Sequence, residues 1–274
     1  MDKNAIQSLF QKVRTEQPLV HHITNPVTMN DCANATLAIG ASPVMAMSVD
    51  EVAEMVSLAN ALVVNFGTID AITHEAMVIA GKAANEKGIP VILDPVGVGA
   101  TTFRNEKAES FLKQVKVSIV RGNTTEVYAL IGGNTATRGV DAGELKDMSQ
   151  SALAYEAART LQAVVVISGE QDVICDGTQQ AFVENGDIWL TRITGTGCMT
   201  ASLIGSFAGV TDNLFHAAIA GMSTMSLAGE LAKRSMKETD GIGTYRMQLF
   251  DEFFKMDGNL WLKEVKCFEE KTIH

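Results

Sequence analysis

Short apolar runs recur along the first part of the chain: PLVHHIT (18–24), SPVMAM (42–47), ALVVNFG (61–67), IPVILDP (89–95), VSIVRGN (117–123) and AVVVISGE (163–170). Each is bounded by polar or turn-forming residues and is too short for a helix, which predicts a buried strand. Between them lie segments of helical period, among them VDEVAEMVSLA, ITHEAMVIAGKAANEKG and NEKAESFLKQV, the second stopped by Gly88. Strands alternating with helices predict a mainly parallel sheet covered on both faces, a three-layer α/β/α sandwich. The rhythm changes over 172–190, DVICDGTQQAFVENGDIWL, where Asp176-Gly177 and Asn185-Gly186 predict antiparallel strands at a sheet edge. Beyond that the pattern is largely helical. The apolar window Leu214 to Ala232 contains His216, Ser223, Ser226 and Glu230, which predicts a buried or interfacial helix and not a membrane span.

Composition narrows this picture. A chain of 274 residues with 46% apolar and 20% charged residues can bury a sizeable core. No linker composition, charge block or repeat divides it, so a single domain over 1–274 is expected. A net charge of −10 opposes non-specific attraction to nucleic acid and anionic membranes, yet leaves a local phosphate pocket possible. Cys32, Cys175, Cys198 and Cys267 form no CxxC pair, so reduced thiols are expected, with neither a zinc site nor a disulfide framework. The amphipathic start MDKNAIQSLFQKVRTEQ lacks the apolar centre of a signal peptide, and a cytoplasmic location follows as the expectation.

Ligands of parallel α/β sheets collect beyond the carboxyl ends of the strands. There the chain offers Asn25, Gly67, Asp94, Arg121, Asn123, Ser168 and Gly169. Asp94 in ILDPVGVGA and Glu126 in RGNTTEV are two separated carboxylates suited to organise hydrated Mg²⁺ with substrate phosphates; capping or surface solvation is the alternative for both. Arg121 can reach a phosphate from a strand end, and Ser168 adds a hydroxyl beside it. In RITGTGCMTASLIGSF, the N–H groups of Gly195 to Cys198 are expected to form an anion pocket at a helix start. The same field is expected to lower the thiol pKa of Cys198. Neither a GxxxxGK[ST] loop nor a dinucleotide-binding GxGxxG is present.

HHITNPVTMNDCANATLAIGASPVMA, ILDPVGVGAT, VRGNTTE and TGTGCMTASLIGSF, in that order, resemble the hydroxyethylthiazole kinase family of thiamine salvage, within the ribokinase-like superfamily. The resemblance implies a ribokinase-like fold and ATP-dependent phosphorylation of the primary alcohol of the thiazole, with Mg²⁺. It implies that Arg121 and Ser168 contact ATP, Asp94 and Glu126 the metal, and Met45 and Gly195 the thiazole, with Asn25 and Gly67 as further substrate-site candidates. It also implies a homotrimer with interfacial active sites, and places Cys198 where the wider superfamily carries an aspartate base. Three other readings compete. They are a kinase of another small alcohol or a pyrimidine, a cysteine-nucleophile transferase using His21, His22, His74 or His216, and a non-catalytic nucleotide-binding regulator.

Overall fold

The structure, a computed structural model, describes residues 1–133 and 148–271. Among the described residues nine strands form one sheet: β1 (Leu19–Ile23), β2 (Ser42–Val44), β3 (Ala61–Asn65), β4 (Val91–Asp94), β5 (Ile119–Asn123), β6 (Val164–Ser168), β7 (Asp172–Cys175), β8 (Gln179–Val183) and β9 (Cys267–Lys271). Their order is β2-β1-β3-β4-β5-β6-β7-β8-β9, parallel from β2 to β6 and antiparallel from β6 onward.

All five residues of β3 are buried, as a central parallel strand requires. The period of two then divides them: Ala61 and Val63 pack on one face, Leu62 and Val64 on the other. The first face is covered by α1 (Lys3–Glu16), α2 (Met29–Ile39), α8 (Thr196–Ala208), α9 (Leu214–Arg234), α10 (Ile242–Lys255) and α11 (Gly258–Glu264). The second is covered by α3 (Val52–Leu58), α4 (Ala71–Lys87), α5 (Thr102–Leu112), α6 (Thr124–Leu130) and α7 (Gln150–Leu161). This is the expected three-layer sandwich with a mainly parallel sheet.

The buried hydroxyls of α9 are satisfied inside the protein. The Ser223 and Thr224 hydroxyls donate to the Ile219 and Ala220 carbonyls at 2.6 Å, and Trp261 Nε1 donates to Ser223 Oγ at 2.7 Å. Among the described residues no helix is long and apolar enough to cross a membrane.

Two expectations need correction. β7 and β8 are antiparallel as predicted, with Gly177 at φ +87° in their turn, but they are not the edge. The edge is β9, from a stretch read as helical, with Phe268 stacked on Phe182 at 5.3 Å. Asn185-Gly186 accordingly makes no hairpin: the Asn185 side chain accepts from Lys266 N and donates to Glu230.

Candidate active site

Parallel register brings the polar strand ends together: Asn65 lies beside Asp94, and Asn123 beside Ser168. Asp94 is fully buried. Its Oδ2 accepts from Asn65 Nδ2 at 2.6 Å, while Oδ1 has no hydrogen-bond partner and lies 3.8 Å from Arg121 Nη1. Burial pushes this carboxyl up to about 6; Arg121 opposes that, Glu126 adds to it, and hydrogen bonds from Asn65 and Cys198 oppose it. Arg121 Nη2 donates to Ser168 Oγ at 2.8 Å, and its buried Nε has no partner.

Helix α8 arrives at this group with its N-terminus. Gly195, its N-cap residue, has φ +88°, and no side chain caps the helix start. A Cβ there would lie 2.6 Å from Thr28 Cγ2, and a Cβ on Gly197 would run into the Arg121 guanidinium. The two glycines therefore let the helix end approach the charged pair, as an anion pocket requires.

Cys198 is half-buried in the first turn of α8. Asn65 Nδ2 points at its sulfur from 3.2 Å and Asn25 Nδ2 from 3.6 Å. The expected lowering of its pKa is overturned. Burial raises the thiol, and the Asp94 charge raises it further, against hydrogen bonds from Thr28, Asn65 and Asn25. Desolvation leads, and a neighbouring carboxylate acts in the same direction.

Asn65 is the member of this group that strand-end reasoning passed over in favour of Gly67. Its Oδ1 accepts from Gly67 N at 2.9 Å and from Asn25 Nδ2 at 2.8 Å. A backbone N–H can only donate, so the amide oxygen must face Gly67 and the NH₂ must face Asp94 and Cys198. The signal was available: an asparagine closing an otherwise apolar run.

Glu126 sits at the third position of α6, where Oε2 accepts from Asn123 N and Oε1 from Gly97 N, both at 2.9 Å. The capping alternative is thus real, and the same carboxylate also fixes the glycine loop after β4. Met45, just past β2, is half-buried and packs against the α8 face of the core. It does not belong to the hydrogen-bonded group around Cys198. The histidines are engaged elsewhere: His21 with the Ala46 carbonyl, His22 with that of Val20 and His74 with that of Lys107. Burial lowers the pKa of His21, His22, His74 and His216, His22 to about 4. Nothing here supports a histidine-activated nucleophile.

A cavity of about 790 Å³ opens beside Arg121 and Ser168 and runs past Gly197, Thr200 and Met225 to Ile188. Its lining mixes polar groups, among them Arg121, Ser168, Asp172 and Thr200, with the apolar side chains of Leu190, Met222 and Met225.

Sheet order and the glycine-bounded helix start at the carboxyl ends of the strands are those of a ribokinase-like α/β fold, the architecture of small-molecule kinases. The fold is shared with a pyridoxal kinase from Staphylococcus aureus at TM-score 0.62 and 14% identity, covering 93% of this chain and 99% of that one. The family model for the hydroxyethylthiazole kinase family matches residues 10–259, and the chain belongs to that family. A hydroxyethylthiazole kinase from Ruminiclostridium cellulolyticum is 46% identical over 266 residues, 96% of this chain and 97% of that protein. The solved structure of the hydroxyethylthiazole kinase protein from Pyrococcus horikoshii superposes at TM-score 0.86 with 38% identity, over 98% of this chain and 100% of that one.

Proposed function

We propose that this kinase transfers the γ-phosphoryl group of ATP to the primary alcohol of 4-methyl-5-(2-hydroxyethyl)thiazole, serving thiamine salvage. The observation that carries the reading is the convergence of Asp94, Arg121 and Cys198 on the glycine-bounded start of α8, beside the cavity. Arg121 and Ser168 hold the phosphates of ATP, and the N–H groups of Gly195 to Cys198 face the transferring group. Met45 and Gly195 contact the thiazole, with Asn25 and Gly67 shaping the same pocket.

Cys198 is a protonated thiol at neutral pH, so its part is to orient the substrate hydroxyl, not to abstract its proton early. A loose phosphoryl-transfer transition state tolerates this, since little deprotonation need precede bond breaking.

The residues fit Mg²⁺. Asp94 Oδ1 is a buried hard oxygen without a hydrogen-bond partner, and Glu126 is close enough to raise the Asp94 pKa. Among the described residues no group of three or more His, Cys, Asp or Glu gathers to hold a metal. Such a donor set suits an ion that keeps water and phosphate oxygens as its other ligands. When bound, the ion would neutralise charge on the phosphates.

The single domain is read as cytoplasmic and homotrimeric, each active site completed by the Met45 segment of a neighbour. Exposed Leu37 on α2 and exposed Met247 and Phe254 on α10, a helix packed beside it, support an apolar contact face there. The test is ADP release from ATP with the thiazole alcohol, with and without Mg²⁺, beside a hydroxymethylpyrimidine control. Release that requires both the thiazole and Mg²⁺ is expected; a preference for the pyrimidine would overturn the assignment.

A further inference from the structure

One buried carboxylate in the nucleotide cavity has no part in the chemistry above. Asp172 opens β7, is 3% exposed, and lines the cavity with Ser168, Gly169 and Ser226. Both of its oxygens are engaged. Oδ1 accepts from Gly169 N at 3.1 Å, across the loop joining β6 to β7, and Oδ2 accepts from Ser226 Oγ at 2.7 Å, from the middle of α9. The carboxylate is thus the joint between a short loop and a long helix that share no strand pairing.

The loop begins immediately after Ser168, whose hydroxyl is held by Arg121 Nη2. Where Gly169 is pinned, the direction in which Ser168 leaves β6 is pinned with it. Burying a carboxylate has an opposing cost, and burial pushes Asp172 up to about 6. A charge that stands against its own solvation next to a phosphate cavity needs a local reason, and the loop-to-helix joint supplies one.

We propose that Asp172 is a positioning residue for the nucleotide: it fastens the Ser168–Gly169 turn to Ser226 of α9, so that the Ser168 hydroxyl and the Arg121 guanidinium stand ready for the phosphates of ATP. This rests on the reading that Arg121 and Ser168 meet the nucleotide. Geometry, not charge, is what the site requires. An asparagine at this position keeps both contacts, its oxygen accepting from Gly169 and its NH₂ donating to a Ser226 hydroxyl that has turned round.

The experiment compares Asp172→Ala, Asp172→Asn and Ser226→Ala by KM for ATP, KM for the thiazole alcohol and kcat, with thermal unfolding as the check on folding. Asp172→Ala is expected to raise KM for ATP on the order of tenfold, the effect of one lost hydrogen bond to the turn, with KM for the thiazole unchanged. Ser226→Ala gives a smaller rise of the same kind, and Asp172→Asn holds KM for ATP at or below the wild-type value. The proposal fails if both KM values move together in Asp172→Ala, or if Asp172→Asn loses as much as Asp172→Ala. If Asp172→Ala does not fold, Ser226→Ala decides alone: an unchanged KM for ATP overturns the joint. Arg121→Met separates the underlying reading. Should it leave KM for ATP untouched, the nucleotide assignment itself is wrong; should it raise KM while the Asp172 and Ser226 variants do not, only the positioning role falls.

Discussion

The two ends of the parallel strands each carry a cavity of similar size, about 790 Å³ at the carboxyl end and about 750 Å³ at the amino end. They differ in how their polar groups are spent. At the amino end Lys87 Nζ donates to the carbonyls of Val56, Ser57 and Ala59, capping α3. Asn85 exchanges two hydrogen bonds with the Lys116 backbone, and Asn60 accepts from Leu19 N. At the carboxyl end Asp94 Oδ1 and Arg121 Nε are buried with no hydrogen-bond partner, and Asp94 is held near the edge of ionisation. A hollow of a given volume marks nothing by itself; buried polarity left open does.

Breaking this contrast has its largest effect at Arg121. Arg121→Met should cut kcat/KM for ATP by roughly a thousandfold in steady-state assays, because it removes a donor to the phosphates and leaves Asp94 buried without its cation. A loss of only a few-fold would remove the carboxyl end's claim to be the site.

Asp94→Asn sharpens the contrast from the opposite side, with turnover down on the order of a hundredfold and stability up. Burial pushes the folded carboxyl up to about 6 from its ordinary 3.8, so the folded state binds the proton more tightly than the unfolded one. Stability contributed by this group is therefore greatest below pH 4, declines as pH rises toward 6, and stays low above that. Removing the charge should raise stability at pH 7 by up to about 3 kcal/mol, visible as a higher Tm, and flatten the pH dependence between 4 and 6. A destabilised Asp94→Asn protein at pH 7 would show that Arg121 more than offsets the burial.

Cys198→Ala should lower kcat between about tenfold and a hundredfold with little change in KM for ATP, below the full effect of a general base. Unaltered turnover across pH 6 to 9 would remove the thiol from the reaction. The smallest effect belongs to the amino end: Lys87→Met should cost about 1 kcal/mol of stability in chemical denaturation and leave turnover as it was. If its turnover fell as well, the two ends would not be functionally separate.

The parallel core was legible because strands buried on both faces are written as continuous apolar runs, as in Ala61–Asn65. β9 was not, since CFEEK reads as a polar end of a helical stretch and becomes a strand only through pairing with β8. Asp94, Arg121, Ser168 and Cys198 stood out as polar residues following apolar runs or flanked by glycine. Asn65 was hidden inside a run, and Asp172 looked like an ordinary strand start. The direction of the Cys198 pKa was misread because the helix field is local and visible in sequence, whereas its burial and the nearby Asp94 charge depend on elements more than a hundred residues away. Met45 is a different case: the role proposed for it draws on a second copy of the chain.

The Asn65 amide limits how this sequence can change. Its oxygen serves Gly67 N and Asn25, and its NH₂ serves Asp94 and Cys198. Aspartate there would set a second carboxylate against the first, leucine would leave several buried groups unserved, and glutamine is one methylene too long for the same corner. While Asp94, Cys198 and the Gly67 turn remain, the end of β3 has room for one amino acid; that position is expected to drift only after its neighbours have.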